Sequence, residues 1–180
     1  MLGIRRSIKA KRGLGMAPTY NYQMSPMERF NHQRKLGEEF ERKVIKLLKK
    51  AGHEAWKRKD HDYDLTVVLD VPLYGAHRIK AECKMDFAAS GSGNLALETQ
   101  SQGKPSGIHP KGPNPDLWIH GVGDEVWLMK TSAIQALCDT HATSWGGRHV
   151  PVGDKETGAK AILMPITVAR KAVGGAWVKL

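Results

Sequence analysis

Between positions 36 and 51 apolar side chains return every three or four residues, as Leu36, Phe40, Val44, Leu47 and Leu48, with Glu and Lys on the other faces. That period predicts a helix with one buried stripe, and Gly52 marks its end. Upstream, Ser25-Pro26 is a capping residue followed by a first-turn proline, where a helix can begin. Residues 1–35 as a whole read as a basic arm, partly extended or disordered. Arg5, Arg6, Lys9, Lys11 and Arg12 are broken by glycines, and little here can bury a core.

Beyond Gly52 the pattern shortens. The β-branched run 65–69 reads as a strand, Pro72 and Gly75 interrupt the chain, and 77–84 reads as a second strand, most simply joined to the first as a hairpin. Residues 88–94 are small and Gly/Ser-rich, a flexible loop. Residues 95–99 suit a strand or a short helix, and 103–115 form a long Gly/Pro loop of the kind that is functional or mobile. Strands follow at 117–119 and 126–129. Thr131 or Ser132 caps a helix to about Cys138, 140–158 is loop, 161–166 a last strand and 167–172 a short helix. This order predicts an α/β fold with a mixed central β-sheet flanked by helices, a single domain over 36–180.

Composition adds one strong bias. Apolar residues make up 41% and charged residues 26%, which is ordinary for a globular chain. There is no apolar run long enough to span a bilayer and no secretory signal pattern. Two distant cysteines, Cys83 and Cys138, and scattered histidines offer neither a disulfide framework nor a zinc site, and the cytoplasm is the expected compartment. Lys and Arg, however, exceed Asp and Glu by 28 to 18, a formal net charge of +10. That excess favours a polyanion, nucleic acid first, with an unrelated basic protein as the plain alternative.

Glu82-Cys83-Lys84 gains meaning from its place. A Glu-x-Lys is expected about once by chance in this composition, and Glu41-Arg42-Lys43 is another. On a strand, though, residues two apart share a face, so Glu82 and Lys84 project together while Cys83 points away. A hairpin folded about Tyr74-Gly75 sets residues summing to about 148–150 opposite each other. Asp64 then lies across from Lys84 and beside Glu82, unless a bulge shifts the register by a residue or two. Two carboxylates can hold Mg²⁺ together with waters and phosphate oxygens. A neighbouring lysine can orient or deprotonate the attacking water and offset developing charge. The alternative is a surface ion pair on a strand hairpin.

On these residues the stretch from Gly37 to Lys84 resembles the PD-(D/E)XK (restriction-endonuclease-like) nuclease superfamily, and within it the Holliday junction resolvases and related phage enzymes. Gly37 followed by Glu41-Arg42 matches the family's helix motif, Asp64-Leu65 its strand aspartate, and Glu82-Cys83-Lys84 its (D/E)-x-K. Tyr63 stands where the family has proline. The resemblance implies a Mg²⁺-dependent DNA endonuclease, with Mn²⁺ as a substitute, acting on branched DNA as a homodimer. It further implies Asp64, Glu82 and Glu41 as metal carboxylates and Lys84 as the catalytic lysine. Glu38 and Glu39 are rivals of Glu41 on the helix. Glu98 is a candidate ligand or orienting residue, with Gln100 on the same side of a strand. Lys57, Arg58 and Lys59, and Lys104 and Ser106 of the Gly-rich loop, are candidate phosphate contacts. An exonuclease or nicking enzyme on the same core, a non-catalytic nucleic-acid-binding protein and a packaging protein remain as rivals.

Overall fold

Ser25 opens the first helix, α1 (Pro26–Lys50), with a reciprocal cap. Its hydroxyl accepts the Glu28 N–H, and the Glu28 carboxylate accepts the Ser25 N–H at 2.8 Å. The Ser25 hydroxyl also donates to that carboxylate at 2.7 Å, and this bond first, with the Ser25 N–H second, holds the Glu28 carboxyl below its usual range. At the other end the Gly52 N–H donates to Lys49 O and the His53 N–H to Leu48 O, closing a Schellman turn on a glycine of positive φ. The computed structural model describes residues 24–58, 63–71, 75–109, 114–141, 144, 150–152 and 158–180. The proposed arm's residues 1–23 lie outside the described residues, and the boundary drawn at 35 falls inside α1, whose early turns continue the helix without a break.

The predicted hairpin forms from β2 (Leu65–Val71) and β3 (Gly75–Met85). β1 (Glu54–Lys57), which has too few residues for a clear alternation, adds antiparallel to β2. β3 pairs in parallel with β6 (Leu117–Val122), and β7 (Glu125–Lys130) and β10 (Ala176–Lys179) complete a six-stranded mixed sheet, ordered β1-β2-β3-β6-β7-β10. The chain is therefore α/β with a mixed central sheet flanked by helices. It also has a second, four-stranded antiparallel sheet that the sequence reading lacked, ordered β5-β4-β9-β8. These strands are Lys104–Pro105, Asn94–Ser101, Lys160–Pro165 and Val150–Pro151.

Several expectations are corrected here. The loop at 88–94 contains a helical turn, α2 (Ala89–Ser92), and the 103–115 loop begins with β5. The strand ending at Pro165 is not the last, since α4 (Ile166–Ala169) leads on to β10. The third helix, α3 (Thr131–His141), leaves β7 directly and runs past Cys138.

Alternation along the strands decides which face is which. Leu65, Val67, Ala81, Ile119 and Val126 pack under Phe40, Val44 and Leu48 of α1. Trp118, Trp127 and Met129 point the other way, into a second core with Leu95, Leu97, Ile162 and Met164 of the smaller sheet and Ile134 and Cys138 of α3. The central sheet is thus buried on both faces, each large side chain contributing about 1.5–3 kcal/mol. Cys83 and Met85 join the α1 side. Glu82, Lys84 and Asp86 must then face the second sheet. Among the described residues no helix is long and apolar enough to cross a membrane.

Candidate active site

The β2–β3 register differs from the expected one. Leu65 faces Ala81 and Val71 faces Gly75, so partners sum to 146 rather than 148–150. Gly75 is already a strand residue paired with Val71, which shifts β3 by about two positions from the expected register. Asp64 therefore lies level with Glu82 rather than Lys84.

Three backbone-anchored bonds fix Asp64. Its N–H donates to Ala81 O at 3.1 Å, its carbonyl accepts the Arg58 N–H at 2.8 Å, and its Oδ2 accepts the Cys83 N–H at 2.8 Å. The aspartate of one strand is thus bonded to the middle residue of the Glu82-Cys83-Lys84 motif. Burial raises the Asp64 pKa, with a further push from the negative charge of Glu41, against the Cys83 N–H, Lys57 and Lys84. Glu82 is pushed up to about 8, first by burial and next by the charge of Asp64, which the Lys84 ammonium only partly offsets. Glu98 and Glu41 add to the same push.

Lys84 Nζ stands 3.4 Å from Glu98 Oε2, and Glu98 Oε1 accepts the Ser106 hydroxyl at 2.7 Å. Ser106, expected as a phosphate contact, instead turns inward to the acidic cluster. Its neighbour Gly107 has φ +62, and a Cβ there would come within 2.2 Å of the Glu98 carbonyl oxygen. Gly107→Ala should therefore destabilise the fold by about 2–4 kcal/mol, combining a left-handed backbone with a backbone clash. A chemical-denaturation midpoint equal to wild type would contradict that close approach.

Of the three helix glutamates, Glu41 is the one whose charge acts on both Asp64 and Glu82. Its Oε2 is also 2.7 Å from Lys57 Nζ, an ion pair that raises the Lys57 pKa, with a smaller contribution from Glu38. Lys57 is thus engaged with Glu41 rather than presented as a simple phosphate contact, and Glu39 is exposed on α1. Lys104 is exposed on β5, and Lys59 lies outside the described residues. A bulge separates Glu98 from Gln100, and among the described residues no hydrogen bond joins Gln100 to the cluster. Among the described residues, no group of three His, Cys, Asp or Glu side chains is arranged to hold a metal ion. The structure therefore brings Asp64, Glu82 and Lys84 together, but does not close Glu41 onto them as a third ligand. What it offers is a pair of carboxylates, both with raised pKa, whose crowding a cation would relieve.

Two features went unread in the sequence. Arg58 and Lys80 each place their cation 5.4 Å from the centre of the Tyr63 ring, beside Asp64. Asp86, next in the 82, 84, 86 alternation, accepts N–H bonds from Ala88, Ala89 and Ala96. It also lies 3.3 Å from Nε2 of the fully buried His120. Because Trp118 Nε1–H donates to His120 Nδ1 at 3.1 Å, the proton between His120 and Asp86 belongs on Nε2. Burial alone would raise the Asp86 pKa, but the bonds from His120 and Ala96 outweigh it and hold the carboxyl low. Strand alternation was the available signal for Asp86; nothing local marked His120. Compared with known protein families, with characterised proteins and with solved structures, the chain matches none.

Proposed function

We propose that this chain is a metal-dependent deoxyribonuclease of the PD-(D/E)XK type. The observation that carries the reading is the trio Asp64, Glu82 and Lys84, brought together where the Asp64 carboxylate accepts the Cys83 N–H, with Glu82 forced up to about 8 by burial and by Asp64. A group so perturbed by desolvation and by one specific neighbour is a functional-site candidate on physical grounds. The helix α1, the β2–β3 hairpin and the parallel β3–β6 pair support the same reading, as does the net charge of +10.

Asp64 and Glu82 would hold the ion, Mg²⁺ or in its place Mn²⁺. Mg²⁺ characteristically uses one or two carboxylates, waters and substrate phosphate rather than an all-protein cage. Bound there, it would polarise the phosphodiester and lower the pKa of a coordinated water. The chain's own groups do the rest. The Cys83 N–H keeps Asp64 oriented, and Lys84 places an ammonium where negative charge builds on the phosphate. Arg58 and Lys80 flank Tyr63 and extend positive potential beside the carboxylates along the DNA backbone. Branched DNA as substrate, and a homodimer to cut two strands, belong to the same proposal through the resolvase resemblance.

The test is cleavage of a supercoiled plasmid and of a four-way junction, with Mg²⁺ or with EDTA. Nicked or linear plasmid formed only with the metal supports the nuclease, and the junction-to-plasmid rate ratio reports the preference for branched DNA. Digestion only of linear ends would favour an exonuclease on the same core. Tight, salt-sensitive binding with no cutting in Mg²⁺ or Mn²⁺ would overturn the enzyme in favour of a nucleic-acid-binding protein.

A further inference from the structure

β4 of the second sheet meets the motif-bearing strand at two points. Lys84 Nζ reaches Glu98 Oε2 at 3.4 Å, and Asp86 Oδ2 accepts the Ala96 N–H at 2.8 Å. The contacts lie two residues apart on each segment, Lys84 and Asp86 on one and Glu98 and Ala96 on the other, so β4 is anchored to the end of β3 and the residue after it. Asp86 is itself held by the Ala88 and Ala89 amides and by His120, which makes that end of the dock rigid. The other end depends on side chains alone. Glu98 is mostly buried, at 19% exposure, and both of its oxygens are used, Oε1 by the Ser106 hydroxyl and Oε2 by Lys84. The Ile108 N–H donates to Glu98 O at 2.9 Å, and the missing side chain at Gly107 lets the turn 106–108 lie directly on the Glu98 backbone.

Resting on the nuclease reading above, we propose that Glu98 is a positioning residue for Lys84 in phosphodiester cleavage, and that Ser106 sets the orientation of Glu98. Lys84 is 45% exposed and carries a flexible four-carbon stem, so without an anchor its ammonium spreads over many rotamers. A carboxylate with one oxygen tied to Ser106 leaves its second oxygen in one place, and that place fixes the ammonium. With Oε1 held by Ser106 and Oε2 facing the ammonium at 3.4 Å, the role proposed for Glu98 is exerted through Lys84. The second sheet and the turn beyond β5 thereby become part of the catalytic apparatus instead of a structural addition.

The test compares wild type with Glu98→Gln, Ser106→Ala and Ser106→Thr in single-turnover cleavage of plasmid in Mg²⁺, across DNA concentrations. In parallel, Lys84 is labelled by an amine-acylating reagent and quantified by mass spectrometry. Glu98→Gln should lower the saturating rate about 10–100-fold, with the half-saturating DNA concentration unchanged, as loss of a supporting partner typically does. Lys84 should then acylate faster. Ser106→Ala should show a smaller loss of the same kind, and Ser106→Thr, which keeps the hydroxyl, should restore it. If Glu98→Gln does not fold, the two Ser106 variants carry the comparison. A wild type that cuts DNA, with Lys84 labelling and saturating rate unchanged by these substitutions, overturns the positioning role alone. A wild type that cuts no DNA overturns the nuclease reading, and this role in cleavage with it.

Discussion

Lys84→Ala is expected to lower metal-dependent DNA cleavage about 10²–10³-fold, the usual loss when one preorganised electrostatic contact to the reacting group is removed. The fold should survive, because the side chain is 45% exposed and its partner Glu98 keeps the Ser106 bond. DNA binding should change little, since one cation among the 28 Lys and Arg is a small part of the electrostatic attraction. The expected signature is therefore a lost rate with preserved affinity and melting temperature. Single-turnover cleavage, filter binding and thermal melting of the same preparation measure all three. A mutant rate within a few-fold of wild type would remove Lys84 from the chemistry, and the Glu98 proposal would lose its purpose.

Glu82→Gln should separate stability from activity. In the unfolded chain this carboxyl ionises near its ordinary value of 4.5, whereas in the folded protein it is pushed up to about 8. Between those limits the native state holds a proton that the unfolded state has released. Stability from this group is thus full below the ordinary carboxyl value and is lost as pH rises toward about 8. In EDTA, the wild-type melting temperature should fall between pH 6 and pH 8, after allowance for other groups, and Glu82→Gln should flatten that fall. The amide keeps the shape of the protonated acid without a charge to desolvate beside Asp64. Mg²⁺ at pH 8 should raise the wild-type melting temperature, through binding to the native state alone, and should raise that of Glu82→Gln less. Cleavage should be lost in the same variant. If its melting temperature drops with pH as steeply as wild type, the raised Glu82 carboxyl is not the source of the pH dependence.

Local chemistry is why much of the frame could be read along the chain. The Phe40, Val44, Leu48 stripe, the Ser25-Pro26 start and the Gly52 stop depend only on neighbours within one turn or cap, and α1 forms where they indicate. The β-branched run after Asp64 and the strands around Trp118 and Trp127 carry enough residues to show their period. β1 and β10 have four residues each and are stabilised by pairing with β2 and β7 rather than by anything in their own composition. β8, two residues long, exists only as a partner of β9.

The candidate site divides in the same way. Two residues apart on a strand means one face, so the sequence alone determined that Glu82 and Lys84 project together, and the pairing of β2 with β3 brought Asp64 near them. The level at which Asp64 docks was decided by the β2–β3 register, Leu65 on Ala81 through Val71 on Gly75, because one strand can slide on another until burial of one face fixes the pairing. The ion pair of Glu41 with Lys57, and the reach of Glu98 and Ser106 to Lys84, were decided only when α1 and the second sheet packed onto the central one. Those contacts join residues distant along the chain, and their energies come from burial and charge at short range in space, which no spacing along the sequence records.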